Sequence, residues 1–332
     1  MNILTFCQFE EGYNESFRAR LREICPDADI AYYGDERWSE EEYHEKLRNA
    51  DVIIGHLKAR DLRYCENLKL FQMDIAGADF YLKKDYLPEG AVLCNASGGY
   101  GVILAEHAVA LIMCLCRDLQ RYVMNKTAHE WKPYRPDKPI EDSTVLILGA
   151  GDIGVNTARL LRPLAKRIIG VRRVKRPSPE LFDEMISFTE LDEYLPQADI
   201  VSCSLPATPE TFHLLDERRL RLMKHDAVLV NVGRGSLIPT EALCAVLGDG
   251  HLRGVGIDVA ETEPLPPDSS LWDCDRLVIT PHVAGNAITQ DSPTNRRIFE
   301  IIYHNLESFV GGRPLDHVVD LRTGYRKTEE TR

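Results

Sequence analysis

Residues 143–176 read STVLILGAGDIGVNTARLLRPLAKRIIGVRRVKR, in the order strand, tight glycine turn, helix, strand. Residues 144–148 are a short apolar, partly β-branched run, suited to a strand buried on both faces. Gly149, Gly151 and Gly154 follow in the spacing G-x-G-x-x-G. In a dinucleotide-binding βαβ unit the first glycine permits the sharp turn. The second leaves room for a pyrophosphate against the backbone, and the third lets the helix pack close to the strand. The N–H groups at the helix start would then face the phosphates. The spacing alone is a weak signal, because a flexible loop can spell it too. Here it follows a strand, opens a helix and leads to a second strand at residues 167–171, which is the context a dinucleotide site requires.

The end of that second strand departs from the common pattern. About twenty positions after the glycines, an acidic residue usually accepts from the ribose 2′-hydroxyl of NAD. Arg172 stands there instead, with Arg173, Lys175 and Arg176 beside it and no carboxylate before Glu180. A guanidinium offers a hydroxyl no acceptor, but it pairs with a 2′-phosphate. The chain as a whole is acidic, with 40 Lys+Arg against 52 Asp+Glu, so this cationic cluster is not background. A solvated basic strand end is the plainer reading. The chemical reading is NADP(H) preferred, with NAD(H) as the weaker cofactor.

At 332 residues the chain should form about two domains. Its 44% hydrophobic and 28% charged residues are those of an ordinary globular protein. A net charge of −12 argues against nucleic-acid binding by general electrostatics and against an anionic membrane surface. The opening MNILTFCQFEEGY is too short and too acidic for a secretion signal. The longest apolar stretch, residues 102–116, is interrupted by Glu106 and His107 and is too short to span a bilayer. Nine cysteines are scattered with no C-x-x-C. Reduced, mostly buried thiols in a cytoplasmic protein are expected, with no structural zinc and no other metal.

Residues 1–98 read as a further α/β unit, with strand candidates at 3–6, 51–54, 68–73 and 92–94. A charged helix at 39–48 opens on a capping box from Ser39 to Glu42. The turn DIAGAD at 74–79 follows a strand's carboxyl end, where open α/β sheets bind ligands, although a plain turn looks the same. The glycine-rich joint SGGYG at 97–101 precedes an apolar helix at 102–117, which must be buried in a core or a subunit interface. Residues 129–139 read as a loop. Later strands are expected at 200–204, 227–231, 255–259 and 277–280, and helices at 239–247 and 292–311. This alternation builds a doubly wound parallel sheet. The charged tail should fray after Gly324.

Arg234, Glu263 and His282 lie on three different loops at that sheet's carboxyl edge. Singly they have plainer readings: a surface anchor, a solvated carboxylate, and a structural histidine. Together, beside a dinucleotide site, they make a reduction centre. Reducing a carbonyl needs a proton donor at the oxygen that gains charge, a cation to polarise it, and an orienter for the donor. His282 is the natural acid/base. Glu263 would fix its tautomer and favour its charged form. Arg234 could hold a substrate carboxylate and carbonyl in one plane.

These segments resemble the D-isomer-specific 2-hydroxyacid dehydrogenases, and among them the NADPH-preferring, glyoxylate/hydroxypyruvate-reductase-like members. The matches are GAGDIG at 149–154, SLPATPETFHLL at 204–215, VNVGRGSLI at 230–238, GIDVAETEPLP at 256–266 and TPHVAG at 280–285. ASGGYGVILAEHAVALIM at 96–113 and IAGAD at 75–79 also fit. The resemblance implies a Rossmann nucleotide domain (99–288) inserted into a flavodoxin-like substrate domain (1–98 plus 289–332). It puts the catalytic Arg, Glu and His on Arg234, Glu263 and His282, with Arg234 and His282 also touching substrate. Backbone amides at Gly77 and Ala78 would take the substrate carboxylate. Cofactor contacts fall on Asp152, Ile153, Leu205, Pro206, Thr211, Val232, Gly233, Asp258, Ala284 and Gly285, besides the glycines and the arginines. The partner is a small 2-oxo or 2-hydroxy acid, and the assembly a homodimer paired through the nucleotide domains, a contact the apolar 102–117 helix fits. Two departures stand out: Arg172 replaces the family's common Asp, and IAGAD lacks the commoner Gly-Val-Asp spelling.

The implied reaction is reversible reduction of a 2-oxo acid to the D-2-hydroxy acid, with the acid entering between the domains. Formate dehydrogenase is the rival within the fold, but that reaction forms carbon dioxide and has no alkoxide for a Glu–His pair to protonate. A non-enzymatic, dinucleotide-sensing scaffold is the rival of another class, and it would have no use for Arg, Glu and His together. The residues leave open which acid is reduced.

Overall fold

The computed structural model describes residues 1–7, 15–82, 86–134, 138–174, 180–285 and 292–327. The chain divides into two compact units, Met1–Tyr100 with Ala287–Arg332, and Gly101–Asn286.

The first unit runs β1 (Asn2–Thr5), α1 (Glu15–Ile24), β2 (Asp29–Tyr32), α2 (Glu40–Asn49), β3 (Val52–Ile54), β4 (Leu70–Gln72) and β5 (Val92–Cys94). Its five strands are parallel, in the order β2-β1-β3-β4-β5, the flavodoxin-like order. The expected capping box is present: Ser39 Oγ accepts from Glu42 N–H at 3.2 Å, and Ser39 N–H donates to Glu42 Oε2 at 2.7 Å. β2, which the sequence did not announce, is an edge strand. Of its residues DIAY only Tyr32 is buried, so no apolar run marks it.

The second unit opens with α3 (Gly101–Cys116) and α4 (Leu119–Thr127). It continues through β6 (Thr144–Leu148), α5 (Asp152–Leu161), β7 (Arg167–Val171), β8 (Glu184–Ile186), α6 (Leu191–Tyr194) and β9 (Ile200–Cys203). It closes with α7 (Glu217–Leu222), β10 (Val228–Asn231), α8 (Thr240–Gly248), β11 (Gly254–Ile257) and β12 (Leu277–Ile279). The seven strands are parallel, ordered β12-β11-β10-β9-β6-β7-β8. Strand order reverses between β6 and β9, which is where a doubly wound sheet opens a crevice for a ligand. Leu148 is level with Cys203, Cys203 with Asn231, Asn231 with Ile257, and Ile257 with Ile279. The five loops that follow these residues therefore leave from one edge.

α3 is a core helix. Ala108, Leu111, Ile112 and Leu115 are buried among the side chains of β6 and β10. Val102 at its start is exposed, and more exposed apolar side chains lie one helix later, at Leu119, Val123 and Met124 of α4.

The last helix, α9 (Pro293–Val310), returns to the first unit. Ser292 Oγ caps it by accepting from Asn295 N–H at 3.1 Å. Ile298, Phe299, Ile302 and Leu306 pack with Phe17 and Leu21 of α1 on one face of the five-stranded sheet. The tail is more ordered than its charge suggested. Asp320 N–H donates to Tyr325 O at 2.8 Å and Lys327 N–H to Val318 O at 2.7 Å, so the chain stays paired beyond Gly324. The expected domain boundary at 288–289 and the final residues 328–332 lie outside the described residues.

Candidate active site

The glycine turn leaves β6 at the reversal of strand order. Gly149 has φ +99°, and a Cβ there would stand 2.9 Å from Ser204 O, so the turn needs glycine both for conformation and for space. A Cβ on Gly154 would lie 2.1 Å from Gly149 O, so α5 rests directly on the turn. A Cβ on Gly151 would meet nothing within 4 Å: its face is open. Two glycines are thus fixed by packing and the middle one faces space, as a phosphate-binding turn requires. Asp152 and Ile153 form the first turn of α5 behind it.

Arg172, just past β7, turns its side chain toward this loop: Nε–H donates to Ala150 O at 2.7 Å. A cation therefore stands beside the glycine turn where the common pattern has a carboxylate. Arg173 is exposed next to it. Arg176, the third expected phosphate contact, lies outside the described residues.

The remaining cofactor candidates ring the same edge. Leu205, Val232 and Ala284 are buried at loop starts, while Pro206 and Gly285 are half-buried. A Cβ on Gly233 would be 2.7 Å from Leu205 N, so these two loops touch backbone to backbone. Thr211 is buried and its hydroxyl works inside its own loop, donating to Pro206 O at 2.6 Å and accepting from Thr208 N–H at 2.9 Å. Asp258 is 2% exposed. Its carboxylate accepts from Val283 N–H at 2.9 Å, Ala284 N–H at 3.0 Å and the Thr280 hydroxyl at 2.6 Å. It thereby holds the turn after β12.

That turn carries His282. His282 Nδ1 lies 2.7 Å from Glu263 Oε2, and Glu263 Oε1 accepts from Ala260 N–H at 2.9 Å. With one ring nitrogen on a carboxylate, the other is left to face outward, and the imidazole is half exposed. His282 has φ +54°, a strained conformation for a histidine, and its N–H donates to Asp258 O at 2.8 Å. Arg234 follows β10. Its Nη1–H donates to Gly233 O at 2.9 Å, while Asn231 braces the turn by donating Nδ2–H to Arg234 O and accepting from Gly233 N–H. A Cβ on Gly235 would fall 1.9 Å from the Ala260 carbonyl carbon, so the Arg234 and Glu263 loops pack backbone on backbone.

In the first unit, Gly77 and Ala78 lie between β4 and a short 3-10 turn, Asp79–Tyr81. The carbonyls of this loop point inward: Asp74 O accepts from the Tyr100 hydroxyl, Ile75 O from Ala96 N–H, and Ala76 O from Asn95 Nδ2–H. Among the described residues, the N–H groups of Gly77 and Ala78 make no hydrogen bond inside the unit.

Several supporting residues escaped the sequence reading. Asn231 is one, and Glu261 is another. Glu261 accepts from Thr240 N–H and Oγ–H at 3.0 Å each and lies 2.7 Å from His213 Nε2. Burial alone would lift its carboxyl, but the Thr240 and His213 contacts outweigh that and hold it below the usual carboxylate range. Only the proximity of Glu261 to Glu263 in sequence hinted at such a role.

A glycine turn at a strand-order reversal and an imidazole–carboxylate pair on the same sheet edge define a nicotinamide-nucleotide oxidoreductase. Residues 109–284 match the family described as D-isomer specific 2-hydroxyacid dehydrogenase, NAD binding domain. The chain is 31% identical over 303 residues to a glyoxylate reductase of Thermofilum pendens, across 88% of this chain and 87% of that protein. Among solved structures it resembles a D-isomer specific 2-hydroxyacid dehydrogenase family protein from Aeromonas salmonicida. That TM-score is 0.82 at 28% identity, over 96% of this chain and 99% of the other. It also resembles an NADPH-dependent glyoxylate/hydroxypyruvate reductase from Sinorhizobium meliloti, solved with NADP and sulfate. There the TM-score is 0.81 at 27% identity, over 98% and 99% of the two chains. The chain belongs to the D-isomer specific 2-hydroxyacid dehydrogenase family and is an oxidoreductase. No helix among the described residues is long and apolar enough to cross a membrane.

Proposed function

We propose that this protein is an NADPH-preferring reductase of small 2-oxo acids such as glyoxylate and hydroxypyruvate, yielding the D-2-hydroxy acid. The observation that carries the reading is the His282–Glu263 pair at 2.7 Å, on the same sheet edge as a glycine turn flanked by Arg172. The open face of Gly151 and the Arg172 cation fit a phosphorylated dinucleotide: the turn would receive the pyrophosphate, and Arg172 with Arg173 the 2′-phosphate. The loops at Leu205, Val232, Asp258 and Ala284 would line its nicotinamide half. Bound there, NADPH supplies the hydride.

The chain's own groups do the rest. Arg234 holds the substrate carboxylate and polarises its carbonyl. His282 delivers a proton from its outward ring nitrogen to the oxygen that gains charge. Glu263 fixes the ring's tautomer and orients it for transfer. In the reverse direction the same imidazole takes the proton. Gly77 and Ala78 are assigned to the substrate carboxylate by family likeness, and the inward-turned carbonyls of Asp74, Ile75 and Ala76 before them leave two amides for it. The inserted unit serves the nucleotide and the discontinuous one the substrate. A homodimer with the exposed apolar side chains of α4 at its contact, working in a reducing cytoplasm, completes the reading.

The test is chiral analysis of the product formed from hydroxypyruvate with NADPH. D-glycerate is expected. L-glycerate would overturn the stereochemical reading, and no product from any short 2-oxo acid would overturn the activity.

A further inference from the structure

We propose that His107, on α3, is a positioning residue for the reduction: through Thr280 it locks the Asp258 carboxylate that holds the turn bearing His282. The inference rests on the reading of His282 as the proton donor.

His107 Nε2 lies 3.0 Å from Thr280 Oγ1, and the Thr280 hydroxyl lies 2.6 Å from Asp258 Oδ1. A carboxylate only accepts, so the single hydroxyl proton points to Asp258. The His107 contact must then run the other way, with Nε2–H donating to the hydroxyl. This fixes the protonated nitrogen of His107 and the direction of the relay. A neutral imidazole donating at Nε2 is sufficient.

The end of the relay is the catalytic turn. Asp258 is 2% exposed, and a buried carboxylate is tolerable only when its oxygens are matched by donors. Those donors are the Thr280 hydroxyl and the N–H groups of Val283 and Ala284, the two residues after His282. The Asp258 carbonyl takes the N–H of His282 itself at 2.8 Å. His282 is held at φ +54°, a conformation that persists only when its surroundings over-determine it. Without the His107 N–H, the Thr280 hydroxyl is free to rotate away from Asp258, and the turn loses a fixed point.

His107 reaches this place through an exact-fit ladder of helix on strand. A Cβ at Gly254 would stand 2.9 Å from Leu115, and one at Gly256 would stand 3.1 Å from Leu111. The next step, one helical turn back and two strand residues on, sets His107 against Asp258, with Nε2 3.8 Å from Oδ1. Four helical residues rise about 6 Å and two strand residues about 6.6 Å, so the two spacings keep step. The two glycines of β11 bring α3 close enough for the contact.

The experiment compares His107→Leu and His107→Gln with His282→Asn in steady-state reduction of glyoxylate by NADPH. NADPH affinity is followed separately by titration, and solvent-deuterium isotope effects are measured on kcat. His107→Leu should lower kcat about 10- to 100-fold, the scale of a misplaced catalytic group. KM and NADPH affinity should change less than kcat, because Asp258 keeps the Val283 and Ala284 N–H groups when the Thr280 hydroxyl turns away, and the solvent isotope effect should rise. His107→Gln, which keeps a donor N–H, should recover most of the rate. Equal rates for His107→Leu and wild type, or equally slow Leu and Gln variants, would overturn the positioning role while a slow His282→Asn kept the proton-donor reading. A fast His282→Asn would remove that reading first. Should circular dichroism show His107→Leu unfolded, Thr280→Val and Thr280→Ser read the same relay: a slow Val with a normal Ser supports it, and two variants alike overturn it.

Discussion

Arg172 and His282 are the two side chains on which the proposed chemistry turns, and each makes a separable prediction. The Arg172 guanidinium beside Ala150 is one charge-assisted partner for a 2′-phosphate. Such hydrogen bonds contribute about 1.5–3 kcal/mol, so Arg172→Ala should weaken NADPH roughly 10- to 100-fold and NADH much less. Equal losses for both cofactors, measured as KM, would remove the phosphate role. His282→Ala should reduce turnover by about 10²–10⁴ with folding intact, the usual contribution of a general acid. Asp74 makes a third prediction, about stability. Burial pushes its carboxyl above the usual range, and its Oδ1 is buried with no hydrogen-bond partner. A raised folded-state pKa means the folded protein holds this proton more tightly than the unfolded chain. Its stability therefore falls as pH rises from the ordinary Asp value toward the raised one. Asp74→Asn, neutral at every pH, should raise Tm at pH 8 and do so less at pH 5. A Tm gain that does not grow with pH would contradict this.

At the scale of elements, glycines decide how closely the loops approach. A side chain at Gly235 would have to displace the Ala260 backbone, which belongs to the loop carrying Glu263. Gly235→Ala should therefore cost about 1–3 kcal/mol or more in denaturant unfolding and lower kcat as well. A variant with unchanged midpoint and rate would mean that the Arg234 and Glu263 loops need not touch. The elements also show what was legible in the sequence. β6 and β7 begin and end where the sequence put them, because both lie inside the seven-stranded sheet and four of five residues in each are buried. β2 sits at a sheet edge with only Tyr32 buried, and β8 is three residues, Glu-Met-Ile, too short a run to mark a strand although its last two are buried. α4, LQRYVMNKT, mixes exposed apolar with polar side chains and has no clean stripe. The site divides the same way. Arg234, Glu263 and His282 stand in recognisable loop spellings. Asn231, Glu261 and His107 act through partners that only folding brings near, as far away as Thr280 is from His107, and no local spacing marks them.

At the scale of the whole molecule, the acidic chain carries its exceptions locally: a cationic strand end and an exposed apolar helix. Leu119 at 50% exposure, Val123 at 66% and Met124 at 67% are unusual on one short helix and suit a covered face. With Val123 and Met124 both changed to Asp, a homodimer should fall to the 37.7 kDa chain in light scattering, whereas a wild type already at that mass would contradict the dimer. The activity itself is tested most directly by kcat/KM for NADPH and for NADH, measured side by side with glyoxylate and with hydroxypyruvate. The account predicts turnover of at least one of these acids with NADPH favoured by roughly tenfold or more, the worth of about 1.4 kcal/mol at the Arg172 contact. Turnover with NADH favoured would contradict the 2′-phosphate clamp, and no turnover with either cofactor would contradict the reductase.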